Sequence, residues 1–275
     1  MEFLQINQDL CLQDGHCAQE CPARIIIMNG GSKYPEAIED AEDNCIKCGH
    51  CVAICPNGAI SVKDIRQEYC IDIQKEFEIS ANQVEQLIKS RRSIRTYKSK
   101  KVDKAVLQSL IEIARFAPTG SNRQQVEWLA INSPEKVNQC ASATIDFLKN
   151  AKKTGHPIKD RFNLASIISR WESGHDVILR HAPALILAHA PRKNSSAMID
   201  CTIALSYLDL AASAFGLGCC WAGYFMVASS QSPEIAKSLN LPEGNVPMGA
   251  LMVGYPKYKY HRIPPRNEAK VIWME

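Results

Sequence analysis

The chain has 275 residues, 46% of them apolar and 22% charged, an ordinary soluble composition that suits one or two domains and gives no sign of disorder. Lys plus Arg number 32 against 29 Asp plus Glu, a net charge of +3, so charge gives no ground for a nucleic-acid partner. Twelve cysteines would suit a disulfide scaffold in an exported chain, but residues 1–8 hold no basic stretch followed by an apolar one, and the expectation is a reducing, cytoplasmic setting.

Residues 1–75 read as one small module. Cys45, Cys48, Cys51, Cys55 and Pro56 follow the spacing C-x-x-C-x-x-C-x-x-x-C-P, and Cys11, Asp14, Cys17, Cys21 and Pro22 repeat the same steps with one substitution. In this spacing a single loop gives three thiolates to one iron-sulfur cube while its fourth cysteine reaches a second cube. Crossed ligation therefore assigns Cys45, Cys48, Cys51 and Cys21 to one 4Fe-4S cluster, and Cys11, Asp14, Cys17 and Cys55 to another. A carboxylate is a harder donor than a thiolate and holds iron weakly among sulfides, so the Asp14 iron is expected to be labile and to leave a 3Fe-4S form. Two other readings stand beside this one. Either the first copy has decayed and Asp14 is a turn residue, or the later cysteines hold zinc, which requires neither a third equally spaced cysteine nor Pro56. Short apolar runs at 24–28 and 59–63 are expected strands flanking the cluster loops. Residues 29–44, with Gly30, Gly31, Glu36, Glu39, Asp40, Glu42 and Asp43, are expected to form a solvated loop or an acidic docking face. So slight a core must draw stability from its inorganic centres.

Residues 64–79, with Cys70, read as a connector, and a second domain is assigned to 76–275. It opens on a helix signature, Ser80 as N-cap with Gln83 three residues on, then Val84, Leu87 and Ile88 on one face. A second helix is expected over 102–116, with Val106, Leu107, Leu110, Ile111 and Ala114 at helical spacing and a stop at Pro118. Apolar runs at 128–131, 184–190 and 249–254 are expected strands. The alternation implies an α+β or α/β sandwich following the small cluster domain. Residues 201–228 are apolar enough to cross a bilayer, but Asp209 and the glycines at 216, 218 and 223 favour a core helix running into a loop, and no membrane partner is expected.

Three segments of this domain carry chemistry. Arg91, Arg92, Ser93 and Arg95 form a dense anion site, since guanidinium donors are forked and always charged; a solvated helix end is the alternative. The turn-forming stretch 117–124, with Pro118, Thr119, Gly120 and Asn122, has amides and hydroxyls suited to the edge of a heterocycle. In 216–225, glycines permit close approach to a flat ligand and Trp221 offers an aromatic wall.

Taken together and in this order, the segments resemble the FMN-dependent nitroreductase family over about residues 82–275, through RRSIRTYKSKKVDKAVLQSLIEIARFAPTGSNRQ and GLGCCWAG. The resemblance implies that Arg91, Arg92, Ser93 and Arg95 hold the FMN phosphate and ribityl chain, and that Pro118, Thr119, Gly120 and Asn122 approach the flavin, often from a partner subunit. It also implies that Trp221, Ala222 and Gly223 lie beside the isoalloxazine, where a backbone N–H meets N5, and that Arg262 closes on the phosphate. A homodimer with flavin at the interface follows, with 204–215 as a candidate interface helix. The family commonly has proline and tryptophan after the glutamine, whereas this chain reads Gln124, Gln125, Val126, Glu127, Trp128. Cys219 and Cys220 are read as space fillers near the flavin, since adjacent cysteines rarely close a relaxed disulfide, and Cys140 and Cys201 as buried thiols. The two-part layout resembles ferredoxin-fused nitroreductases.

Such a protein is expected to gather electrons from the clusters onto FMN and deliver them to a nitroaromatic, a quinone or an activated alkene, with positive charge beside the flavin favouring its reduced form. His175 and His181, within the pocket-covering segment 161–181, are candidate proton donors, with plain surface histidines as the alternative. No G-x-G-x-x-G follows a strand, so no Rossmann nucleotide domain is expected; the clusters favour reduced ferredoxin or a similar low-potential donor, with NAD(P)H bound over the flavin as the other choice. An electron carrier or redox sensor without a small-molecule substrate, and a binding module with degenerate cofactor sites, are the readings from other classes.

Overall fold

The computed structural model describes residues 3–28 and 31–275, so Gly30 of the acidic insert lies outside the described residues. It divides into two compact units, Met1–Glu78 with Ser121–Arg123, and Ile79–Gly120 with Gln124–Glu275.

In the first unit, β1 (Leu4–Ile6), α1 (His16–Glu20), β2 (Ile26–Ile27), β3 (Glu36–Ala37), α2 (Ala41–Asn44), α3 (His50–Ala53) and β4 (Ile60–Val62) follow in order. Strands β1 and β4 pair antiparallel with Leu4 opposite Val62 and Ile6 opposite Ile60, bringing the two ends of the cluster sequence together. The strands expected at 24–28 and 59–63 form as β2 and β4. The insert is not wholly a loop: Glu36–Ala37 pairs with Ile26–Ile27, and Ile38 N–H donates to the Ile25 carbonyl. Burial of Ala41 against Ile25 and Ile26 draws this segment in, while Glu39, Asp40, Glu42 and Asp43 stay in solvent. Gly15 and Gly49 open α1 and α3 with φ of 72° and 73°, a left-handed conformation that glycine adopts without strain, so the repeat extends from ligands to backbone.

The second unit comprises α4 (Ala81–Ser90), α5 (Lys104–Ala114), β5 (Glu127–Ile131), α6 (Pro134–Thr154), α7 (Leu164–Glu172), β6 (Ala184–Pro191), α8 (Ala197–Ala212), β7 (Gly218–Trp221), α9 (Gly223–Gln231), α10 (Pro233–Ser238) and β8 (Asn245–Gly254). One antiparallel sheet, in the order β5-β6-β8-β7, is covered on both faces, which makes the unit an α+β sandwich. Leu185 and Leu187 of β6 pack with α6, α7 and α9, while Ile186 and Ala188 face α5 and α8. This two-sided burial explains the unbroken apolar runs of β6 and β8.

Ser80 caps α4 as expected, accepting from Gln83 N–H while the Gln83 side chain accepts from Ser80 N–H. Its apolar face is nonetheless uncovered within the chain, with Leu87 36% and Ile88 55% exposed. The apolar run 201–228 needs a second correction. Rather than a helix running into a loop, it forms most of α8, then β7, then the start of α9. Gly216, at φ 67°, ends the helical path, and the chain turns back to pair along the free edge of β8. Ala197–Phe215 passes for a membrane span by length and apolarity, yet its inner side packs on β6 and β8. Cys219 and Cys220 are both buried on opposite faces of β7, each in a different half of the core, consistent with space fillers.

Candidate functional site

In the first unit the seven cysteines of the repeat divide between two cavities. One is lined by Cys21, Cys45, Cys48 and Cys51; the other by Cys11, Asp14, Cys17 and Cys55. These are the two crossed sets, each half of the repeat lending its last cysteine to the other cavity. Burial, reinforced by Cys48, Cys21 and Cys45, pushes the Cys51 thiol up to about 12, so its thiolate calls for a nearby cation such as cluster iron. Burial also raises Cys17, with Cys11 and Cys55 adding to it. Lys47 N–H donates to Cys45 Sγ at 3.4 Å and Ala59 N–H to Cys55 Sγ at 3.2 Å, the kind of N–H to sulfur bond that tunes a cluster. Among the described residues no three candidate ligands close around a single-ion position. The donor chemistry and its partition fit two cubes.

Asp14 lines the second cavity but is also a turn residue. Its Oδ1 accepts from His16 N–H at 3.1 Å, and Oδ2 lies 3.2 Å from His16 Nδ1. A metal bound there must compete with His16 for the carboxylate.

In the second unit, Arg91, Arg92 and Ser90 at the end of α4 face Asp209 of α8, Gly218 and Cys219 of β7, and Lys259 of the C-terminal segment across a cleft of about 540 Å³. Arg91 Nη1 lies 3.3 Å from Asp209 Oδ2. Arg92 donates from Nε to the Arg91 carbonyl at 2.6 Å and from Nη2 to the Lys89 carbonyl at 3.1 Å, capping α4. Ser93 is half-buried and Arg95 exposed. Ile94 N–H donates to the Cys219 carbonyl at 2.8 Å, which docks the arginine segment on β7. A Cβ on Gly218 would stand 2.2 Å from Ile94 Cγ1, so only glycine allows this approach.

The loop after α5 is anchored at its middle. Gly120 N–H donates to Asp200 Oδ1 at 3.0 Å, Ser196 Oγ donates to Asp200 Oδ2 at 2.8 Å, and Gln124 N–H donates to Thr119 Oγ1 at 3.0 Å. Pro118 is exposed, Thr119 and Gly120 half-buried. Asn122 belongs to the first unit, where its amide donates to the Ile46 and Lys47 carbonyls at 3.3 and 2.8 Å. Trp221 is 39% exposed, Ala222 is buried, and Gly223 begins α9. Ala222 N–H already donates to the Ala250 carbonyl, so donors at this place come from the first turn of α9, whose N–H groups lack intrahelical acceptors. Arg262 is exposed beyond the cleft-lining Lys259 and Tyr260. His175 and His181 are exposed and lie after α7 rather than on it; His181 Nδ1 stands 3.9 Å from Asp176 Oδ2. Asp209 and Lys259 were not foreseen as site residues. An acid inside an apolar helix was the available signal for Asp209; Lys259 had none.

The profile of the Nitroreductase family matches residues 88–255, and that of a 4Fe-4S dicluster domain matches residues 3–56. A nitroreductase from Bacteroides fragilis, solved with bound FMN, is 25% identical with a TM-score of 0.57, covering 70% of this chain and 99% of its own. One from Desulfitobacterium hafniense, also solved with FMN, is 23% identical with a TM-score of 0.56, over 69% of this chain and 97% of its own. A Methanothermobacter thermautotrophicus protein with the provisional name NADH dehydrogenase/NAD(P)H nitroreductase is 22% identical over 190 residues, 69% of this chain and 86% of its own.

Proposed function

We propose, from the premise that the chain belongs to the nitroreductase family, that it is an FMN-dependent oxidoreductase supplied by two iron-sulfur clusters and reducing a small organic acceptor, a nitroaromatic, quinone or activated alkene. When bound, FMN takes up electrons singly and releases them in pairs, and the clusters are one-electron carriers. The chain's own residues bind and orient. Arg91, Arg92 and Lys259 line a cationic cleft suited to a phosphorylated cofactor, and the segment carrying Ser93 and Arg95 is docked by Ile94 on β7. Trp221 and the first turn of α9 offer an aromatic wall and free N–H donors, and Asp200 steadies the Thr119–Gly120 turn. The observation that carries the reading is the division of eight ligands into two crossed sets ahead of a family-matched flavin fold.

Its test is made on protein purified without oxygen. Iron, sulfide and FMN are quantified per chain, and the dithionite-reduced protein is mixed with each acceptor class, then driven in turn by NADH, NADPH and reduced ferredoxin. Two clusters and one FMN per chain, reoxidation by an acceptor, and fastest turnover with ferredoxin are expected. Mild oxidation is expected to bring up a three-iron EPR signal that Asp14→Cys abolishes. Flavin-free protein overturns the reading, and reduced protein inert to every acceptor class turns it toward an electron carrier.

A homodimer in the cytoplasm is part of the proposal. Ile88 on α4, Ile113 on α5, and Met198, Ile199 and Tyr207 on α8 are exposed, as are Ile73 and Phe77 of the connector and Ile272 and Trp273 of the C-terminal segment. So much uncovered apolar surface calls for a partner. Light scattering at micromolar concentration is expected to return twice the chain mass; a monomer argues against it.

A further inference from the structure

We infer that Asn122 is a positioning residue that links the two kinds of cofactor site. Its side-chain amide holds the loop carrying Cys45 and Cys48, while the turn it follows serves the flavin, so FMN binding and retention of the all-cysteine cluster strengthen each other. The inference rests on the FMN reading above and adds a linkage to it.

The loop over 118–124 is pinned at its neck and at its tip. The neck belongs to the second unit, where Gln124 N–H donates to Thr119 Oγ1 at 3.0 Å and Gly120 N–H donates to Asp200 Oδ1 at 3.0 Å. The tip, Ser121–Arg123, belongs to the first. Its path is unusual, since Ser121, Asn122 and Gln124 all have φ of 51°, the left-handed region that residues with a Cβ seldom adopt. Three such residues in four persist only where their surroundings hold them. Asn122 supplies such a hold, its Nδ2 donating to the Ile46 carbonyl at 3.3 Å and to the Lys47 carbonyl at 2.8 Å.

This contact falls on a peptide that also faces the cluster ligands. Ile46 and Lys47 share one peptide group, whose carbonyl accepts from Asn122 and whose N–H donates to Cys45 Sγ at 3.4 Å. Asn122 and Cys45 thus grip one dipole from opposite ends, and a bond accepted at the carbonyl strengthens the donor on the same peptide. Lys47 is itself left-handed, at φ 52°, so this segment also needs holding. Ile46 and Lys47 line the cavity of Cys21, Cys45, Cys48 and Cys51; neither lines that of Cys11, Asp14, Cys17 and Cys55. The linkage therefore reaches one cluster directly and not the other. A flavin that orders the Thr119–Gly120 turn presents Asn122 to Ile46 and Lys47, and a filled cluster cavity presents Ile46 and Lys47 to Asn122. Such a coupling runs equally in both directions.

The test uses full-length, cluster-loaded protein stripped of flavin, and follows the loss of iron to a chelator by EPR, without FMN and at saturating FMN. In the wild type, FMN is expected to slow loss from the all-cysteine cluster about fivefold and to leave loss of the Asp14 iron unchanged. Asn122→Ala is expected to weaken FMN about fivefold and to remove the protection even when flavin saturates. Asn122→Asp, which has no amide to donate, is expected to match it, and it decides the matter should Asn122→Ala fail to fold. A side chain that served the flavin alone would weaken FMN when replaced, yet leave the protection intact at saturation. That result overturns the proposal, as does FMN protecting the Asp14 iron to the same degree. Wild-type protein that takes up no FMN sinks the FMN reading and the linkage together, whereas FMN that binds without slowing iron loss sinks the linkage alone.

Discussion

Gly218→Ala is expected to cost about 3 kcal/mol of stability in the second unit and to abolish flavin retention, although a single methyl group is added. The new Cβ would stand 2.2 Å from Ile94 Cγ1, 3.0 Å from Ile94 Cβ and 3.2 Å from Pro256 Cγ. Gly218 is buried at the start of β7, so the methyl has nowhere to turn, and Ile94 must lift off the strand. Lifting Ile94 breaks its N–H bond to the Cys219 carbonyl and carries Arg92, Ser93 and Arg95 away with it. Thermal melts and FMN titration measure the two effects separately. Adding Ile94→Ala removes the clashing carbon and is expected to restore part of the binding. Gly223→Ala is the stability control, since its Cβ meets nothing within 4 Å and alanine is the better helix former. A Gly218→Ala protein with wild-type melting and FMN affinity would show that the arginine segment does not lie on β7.

Removing the iron is expected to unfold the first unit while leaving the second folded. Among the described residues its longest helix has five residues, far below the dozen or so an isolated helix needs, and its sheets have two strands each. Its apolar core is a cluster of nine buried residues among those described, and Cys17 and Cys21 are two of them. Without iron the buried thiols must either carry mutually repelling charge or stay protonated around an open space, so cluster binding and folding are one equilibrium. Hydrogen exchange after chelation under air is expected to show residues 3–78 exchanging at unfolded rates while β6 and β8 stay protected. Retained protection in β1 and β4 of iron-free protein would mean the core suffices.

The features legible in the sequence were those whose cause is local. Cysteine steps of three, three and four specify ligand geometry whatever surrounds them, and Ser80 with Gln83 specifies a cap through groups three residues apart. The long apolar runs became β6 and β8 because both faces of the sheet are covered. The expected helix over 102–116 formed as α5, turning Leu107, Leu110 and Ala114 inward. The rest depended on distant partners. Gly218–Trp221 has no β-branched residue to announce a strand and becomes one only because β8 offers a free edge. Two-residue β3 is shorter than any periodicity can register. The apolar face of α4 reads like that of any amphipathic helix, and nothing local in the sequence says that the chain leaves it uncovered. The pairing of Arg91 with Asp209 and the anchoring of Gly120 by Asp200 span 118 and 80 positions, beyond the reach of any local pattern.

The exchange of last cysteines between the two halves of the first unit makes those halves hostages to each other. Cys21 and Cys55 each line the opposite cavity, so under the proposed ligation losing either thiol would injure the neighbour's centre and not its own. The second slot of each repeat serves only its home cavity. The acid at position 14 therefore bears on its home cavity alone, while the crossing cysteines at 21 and 55 make each cavity depend on both halves of the repeat.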